Sequence, residues 1–315
     1  MKKFTIKILL FVALLLIIFT ASLLFVPNKK IDGNSLFANI DKHNRLDSLP
    51  SPKIIFVGGS NLAFGLDCKT ISDSLKMPAV NMGLHAGFGL RFPINEVKHA
   101  VNQGDIVVLS PTYANFKSRD MLYGEKVLVA LLFDVDRKNL RYIGFRQAIH
   151  LFPNAVSYSV SKLFPKLDVM QDGVDKYGLA LKRASFNEYG DETMHYDWEN
   201  QDLHASFDGT QKSDTILSGA VDDIVNFKVF VEKRGAKFYI IPPSLQYTES
   251  LSHKKLIKNI AKKLSEKNIN FAIAPEKCNM ADSLFFNSAY HLNKQGVKIY
   301  SEMIIKMLLA AENTD

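Results

Sequence analysis

Short runs of consecutive apolar residues punctuate this chain, separated by longer stretches in which apolar positions recur every three or four residues. Ile54-Ile55-Phe56-Val57 is β-branched and aromatic, and Gly58-Gly59-Ser60 stops it, which predicts a buried strand followed by a turn. The same grammar predicts strands at Ala79–Gly83, Asp105–Pro111 and Lys237–Pro243, and a weaker fifth at Asn270–Pro275. Helical spacing covers Leu66–Lys76, Pro93–Asn102, Ile216–Lys233, Lys254–Glu266 and Lys294–Ala311. Alternating strand and helix predicts an α/β domain whose doubly wound parallel sheet is covered on both faces. Ligands of such sheets sit beyond the carboxyl ends of the strands, where Ser60, Gly83 and Ser110–Asn115 fall.

The alternation lapses over residues 116–214. Met121–Phe133 and Arg141–Phe164 have helical, apolar patterns, and Asp168–Ser213 is polar and loop-like. A mostly helical insertion capping the strand ends is expected, with a separate small domain as the competing organisation. Residues 31–52 are polar and mixed, and Leu49-Pro50-Ser51-Pro52 closes them as a stiff linker to a domain at 53–315.

One segment fits neither pattern. Ile8–Val26 is a stretch of 19 uncharged residues whose only hydroxyls are Thr20 and Ser22. At 1.5 Å per residue it approaches the ~30 Å of a bilayer core. It is longer than a signal-peptide core, so residues 1–30 are expected to form an uncleaved, single-pass transmembrane anchor, with cleavage at Thr20-Ala21-Ser22 as the alternative. Lys2, Lys3 and Lys7 favour an inside N-terminus, which puts the domain in the periplasm or outside the cell.

Charge then changes meaning. The chain of 315 residues carries a net +7, a value that invites a nucleic-acid reading. Five of those charges, Lys2, Lys3, Lys7, Lys29 and Lys30, flank the anchor, and the rest of the chain balances to +2. No nucleic-acid footprint remains, and the basic face from Lys254 to Lys267 reads as a solvated helix face. Cys68 and Cys278 are equally compatible with a disulfide and with two buried thiols. Asp191, Glu192, His195, Asp197, Asp202 and His204 are metal-ligand types crowded together, but without Zn or Ca²⁺ spacing they read as a solvated polar loop, and no metal is expected. Gly87-Phe88-Gly89 lacks the third glycine and the acidic partner of a dinucleotide fingerprint, so no cofactor is expected.

Three blocks carry chemistry. Phe56-Val57-Gly58-Gly59-Ser60-Asn61-Leu62-Ala63-Phe64-Gly65 resembles the first block of the SGNH (GDSL-type) hydrolases, with its serine after a strand and a glycine. Val80-Asn81-Met82-Gly83 resembles the second block, and Tyr290-His291-Leu292-Asn293-Lys294-Gln295-Gly296 the last. The resemblance covers roughly 53–115 and 237–310 and implies a flavodoxin-like three-layer fold with Ser60 as nucleophile and His291 as base. A serine hydroxyl needs such a base, and small residues at Gly58, Gly59 and Gly83 would let backbone donors approach an oxyanion. The resemblance further implies oxyanion donors from Gly83, Asn61 and, at an unusual spacing, Asn115.

The sequence departs from that family at the acid. An Asp is usual two to four residues before the histidine, whereas this chain has Asn287, whose amide oxygen accepts a hydrogen bond without bringing charge. The expected function is that of a membrane-anchored esterase or O-acyltransferase of the cell envelope, with an acyl ester or polysaccharide as substrate and other envelope polysaccharide proteins as candidate partners. The alternative is an inactive relative that binds a glycan or scaffolds an assembly. A lipid or small-ligand pocket under the Phe-rich insertion fits either.

Overall fold

The computed structural model describes residues 2–28, 31, 33–165, 182–200 and 216–312. Four apolar runs form one parallel sheet of β1 (Ile54–Gly58), β2 (Ala79–Asn81), β3 (Ile106–Ser110) and β4 (Lys237–Ile240), in the order β2-β1-β3-β4. The register pairs Phe56 with Asn81 on one side and with Val108 on the other, and Gly58 with Ser110, so the carboxyl ends of β1 and β3 finish level.

Both faces of the sheet are buried, and side chains alternate between them. Ile55, Val57, Val107 and Leu109 pack with apolar residues of α5 (Arg91–Val97), α9 (Ser218–Lys233) and α11 (Lys254–Ser265). Ile54, Phe56, Ile106 and Val108 pack instead with α4 (Cys68–Leu75) and α12 (Lys294–Glu312). The architecture is thus α/β with a helix-covered parallel sheet. Helix α4 starts at Asp67, whose carboxylate accepts from Thr70 N–H at 2.9 Å, and ends at Lys76 in the left-handed region.

The structure departs from the sequence pattern in three places. Residues 31–52 are not simply a linker: helix α2 (Ala38–Ser48) lies there, burying Ala38, Asn39, Lys42 and Leu46. Its inward face mixes a lysine and an asparagine with apolar residues, so the apolar period is too weak to read. The fifth strand shrinks to a single bridge between Phe271 and Ile240, with Ala272 N–H donating to Ile240 O at 2.8 Å. The helical run Met121–Phe133 breaks at Gly124, whose φ is +110° and where a side chain would meet Leu128 Cδ2 at 2.4 Å. Two short helices result, α6 (Arg119–Tyr123) and α7 (Lys126–Ala130).

The insertion continues with α8 (Phe145–Leu163), and the described part beyond it, 182–200, consists of short turns. At the other end of the chain, α1 (Lys2–Phe25) is long and apolar enough to cross a membrane. Its last turns pack on α8: the rings of Phe19 and Phe152 meet at 5.8 Å and Ser22 Oγ donates to Ser159 O at 3.0 Å.

Candidate active site

The turn after β1 presents the serine. Gly59 is extended and precedes α3 (Ser60–Ala63), a single turn in which Phe64 N–H donates to Ser60 O at 2.9 Å. Ser60 is partly exposed, and among the described residues its Oγ has no hydrogen-bond partner. The turn itself is locked by Asn61, which is buried. Its Oδ1 accepts from Gly59 N–H at 3.1 Å, and its Nδ2 donates to Ser110 O and Oγ at 3.2 and 3.1 Å. Asn61 therefore staples the end of β1 to the end of β3.

The loop after β2 closes on the same turn. A side chain at Gly83 would lie 2.6 Å from Gly59 O, so only glycine allows this approach. Gly83 N–H is engaged, donating to Asn81 Oδ1 at 2.9 Å. Asn115 is engaged as well: Oδ1 accepts from Thr112 N–H and Oγ1, and Nδ2 donates to Met121 O at 2.6 Å. Asn61, Gly83 and Asn115 thus spend their polar groups on holding the strand ends together.

The histidine arrives from the far end of the chain on a tight hairpin. Strands β7 (Phe285–Ser288) and β8 (His291–Leu292) pair antiparallel, with Ser288 opposite His291 and Ser288 Oγ accepting from His291 N–H at 3.2 Å. The His291 ring stacks on Phe64 at 4.1 Å, nearly coplanar at 9°, one residue beyond the Ser60 turn. No hydrogen bond joins Ser60 to His291. Asn287 Oδ1 lies 2.7 Å from His291 Nδ1. An amide oxygen only accepts, so Nδ1 carries the proton and Nε2 keeps its lone pair.

Burial pushes the pKa of His291 down, to about 3, and the nearby imidazoles of His195 and His85 push the same way. The ring is therefore neutral at any physiological pH. In place of the carboxylate of a Ser-His-Asp triad it has a neutral amide.

Two further histidines surround it: His85, which has no signature in the sequence, and His195, which the sequence offers only within the crowded polar cluster of 191–204. His85 follows Gly83 by two residues, and Gly59 lies against the adjacent Ala86. His85 Nδ1 accepts from Gly87 N–H at 2.9 Å, which leaves the ring proton on Nε2. The residue reaches solvent at the rim while dense protein surrounds its ring, and that burial pushes its pKa to about 4. Behind Phe64, at 5.0 Å, sits His195, fully buried. His195 Nδ1 meets Glu192 Oε2 and Nε2 donates to Leu292 O at 2.8 Å, which ties the residue after His291 to the insertion.

These contacts correct the reading of 191–204 as a solvated loop. Asp191, Glu192 and His195 are buried. Asp191 accepts from Cys68 N–H and Asn81 Nδ2, both at 2.8 Å, and Lys42 Nζ donates to Asn81 O at 2.9 Å and to Gly190 O. The partners lie far along the chain, which sequence spacing cannot reveal, and the buried Glu192 Oε1 has no hydrogen-bond partner among the described residues. Asp197 stays exposed, and Asp202 and His204 lie outside the described residues. No three metal-ligating side chains come together among the described residues. Cys68 and Cys278 are free, buried thiols.

No protein-family model matches this chain, and no curated protein matches it.

Proposed function

We propose that this protein is an SGNH-like serine esterase or O-acyltransferase with a doubly wound fold, anchored by α1, whose domain faces the periplasm or cell exterior and works on acyl groups of a surface glycan. The observation that carries the reading is the pairing of two features. An unbonded Ser60 Oγ stands on a stapled turn, and the adjacent His291 is held by Asn287 in the tautomer that leaves the Nε2 lone pair free.

In the first step Ser60 Oγ attacks the acyl carbonyl carbon while His291 Nε2 takes the hydroxyl proton. The tetrahedral intermediate collapses, the bond to the leaving alcohol breaks, and the alcohol departs with that proton. The acyl group is then an ester on Ser60. Water or a sugar hydroxyl attacks next, giving its proton to Nε2, and Ser60 leaves with it. Oxyanion donors in this reading are Ser60 N–H and the Nε2–H of His85, because Gly83 N–H and the Asn115 amide are already engaged.

A second reading rests on the same amide. Asn287 gives the imidazolium no counter-charge, and no Ser60–His291 hydrogen bond is made, so a glycan-binding or scaffolding relative without turnover is the competing function. Hydrolysis of p-nitrophenyl acetate by the full-length protein in detergent separates the two. Turnover that disappears in Ser60→Ala supports the enzyme, and equal rates in both proteins support the binding protein.

A further inference from the structure

Helix α8 buries one face against the insertion and leaves another uncovered. Phe145, Ile149, Phe152, Val156, Val160 and Leu163 are all exposed, with Phe145 82% accessible and Ile149 56%. At 100° per residue these six fall within a wedge of about 80°, a continuous apolar stripe over the length of the helix. Arg146 is the single charged residue among the exposed positions of α8, because Lys162 is buried against Asp134 at 2.9 Å. An amphipathic helix of a soluble domain has the opposite arrangement, with charge on the outside.

The stripe continues into α1. Phe152 belongs to it and also meets the ring of Phe19. Ser22 Oγ bonds Ser159 O, and Lys162 Nζ donates to Leu23 O at 3.2 Å. From Phe19 to Leu23, α1 advances about 6 Å, while from Phe152 to Lys162, α8 advances about 15 Å, so α8 lies across α1. The crossing falls about 5–10 Å below Val26, where the apolar run of α1 ends, and that is the depth at which interfacial helices rest.

We propose that α8 is an interfacial membrane helix whose Phe145–Leu163 stripe is covered by lipid acyl chains of the leaflet on the domain side. This rests on the reading of α1 as a membrane span. The occupant is the bilayer because the stripe is continuous with a helix that is itself apolar all round, and because its exposed face has almost no charge to suit a polar partner. Lipid contact at α8 would fix the orientation of the domain over the membrane, and with it the height of the Ser60 turn.

The test uses full-length protein in phosphatidylcholine nanodiscs holding one copy each. Single cysteines are introduced by Ile149→Cys or Val156→Cys, by Leu14→Cys in α1, and by Lys258→Cys on the solvent side of α11. Because Cys68 and Cys278 are buried, a nitroxide reagent is directed to the introduced site. Collision with oxygen, which concentrates in lipid, is compared with collision with a water-soluble nickel chelate. The expected result is an oxygen-to-nickel ratio at 149 and 156 several-fold above that at 258 and approaching that at 14. A ratio at 149 and 156 equal to that at 258, with position 14 in lipid, overturns the α8 inference and leaves the anchor standing. Low access to both reagents at 149 and 156 means that protein covers the stripe, and also overturns it. A water-like ratio at position 14 overturns both the anchor and the inference.

Discussion

Asn287 Oδ1 sits 2.7 Å from His291 Nδ1, the place that a carboxylate takes in a Ser-His-Asp triad. The contact has the right geometry to orient the ring and set its tautomer. It lacks the charge that stabilises an imidazolium as it forms. Any rate the site achieves would therefore come from orientation and oxyanion contacts, because burial lowers the basicity of the imidazole.

Replacing Asn287 with Asp restores that charge without changing the side-chain shape. Turnover of an activated ester should rise by about one to three orders of magnitude, bounded by the ~10⁴ effect of the opposite change in a serine protease. Steady-state kcat for wild type and Asn287→Asp measures this. An unchanged or lower kcat in a folded variant would mean that the amide does not occupy the acid's place.

The pH profile should follow the same logic. Burial holds His291 far below its ordinary value, so the base stays deprotonated and wild-type kcat/KM should show no acid limb through pH 5–7. In Asn287→Asp the carboxylate raises the imidazole pKa, and an acid limb should appear within that range. The sign for stability follows from the depressed pKa. Unfolded His291 binds a proton below about 6.5 and folded His291 only near 3, so stability is full above pH 6.5 and falls as the pH drops toward 3. Denaturation midpoints from pH 7 to 4 should therefore fall less steeply in His291→Gln than in wild type.

The staple of the Ser60 turn can be removed on its own. Asn61→Ala deletes one acceptor and one donor in a buried place, and leaves Gly59 N–H and Ser110 without their partner. The expected cost is about 2–3 kcal/mol of unfolding free energy, with a loss of activity larger than the loss of folded protein explains. Urea denaturation together with kcat on the folded fraction checks both parts.

Burial also sets the behaviour of the thiols. Desolvation pushes Cys278 up to about 12 and Cys68 well above an ordinary thiol, with Asp191 adding to the effect at Cys68. Both should be silent toward Ellman's reagent in the folded protein at pH 8, and both should react in guanidinium.

The parallel sheet was legible because β1 and β3 are buried on both faces and so read as unbroken apolar runs. Ser60 stood out in the sequence as a serine after a strand and a glycine, and His291 as a histidine ahead of the C-terminal helical run. Two parts were hidden, for one shared reason. Lys42 in α2 and the Asp191–Glu192–His195 segment are polar groups whose burial depends on partners far along the chain. A sequence displays the polar group and not the partner that neutralises its burial. His85 was hidden differently: a lone histidine after a glycine has no local signature, and only the closure of the β2 loop on Gly59 brings it to the site.

Covalent capture tests most directly whether Ser60 is a nucleophile activated by His291. Full-length protein in detergent is treated with a serine-reactive fluorophosphonate and the adduct is mapped by peptide mass spectrometry. The predicted result is a single adduct on Ser60, absent in Ser60→Ala and formed much more slowly in His291→Gln. Labelling of wild type no faster than Ser60→Ala, or an adduct on another residue, would contradict it.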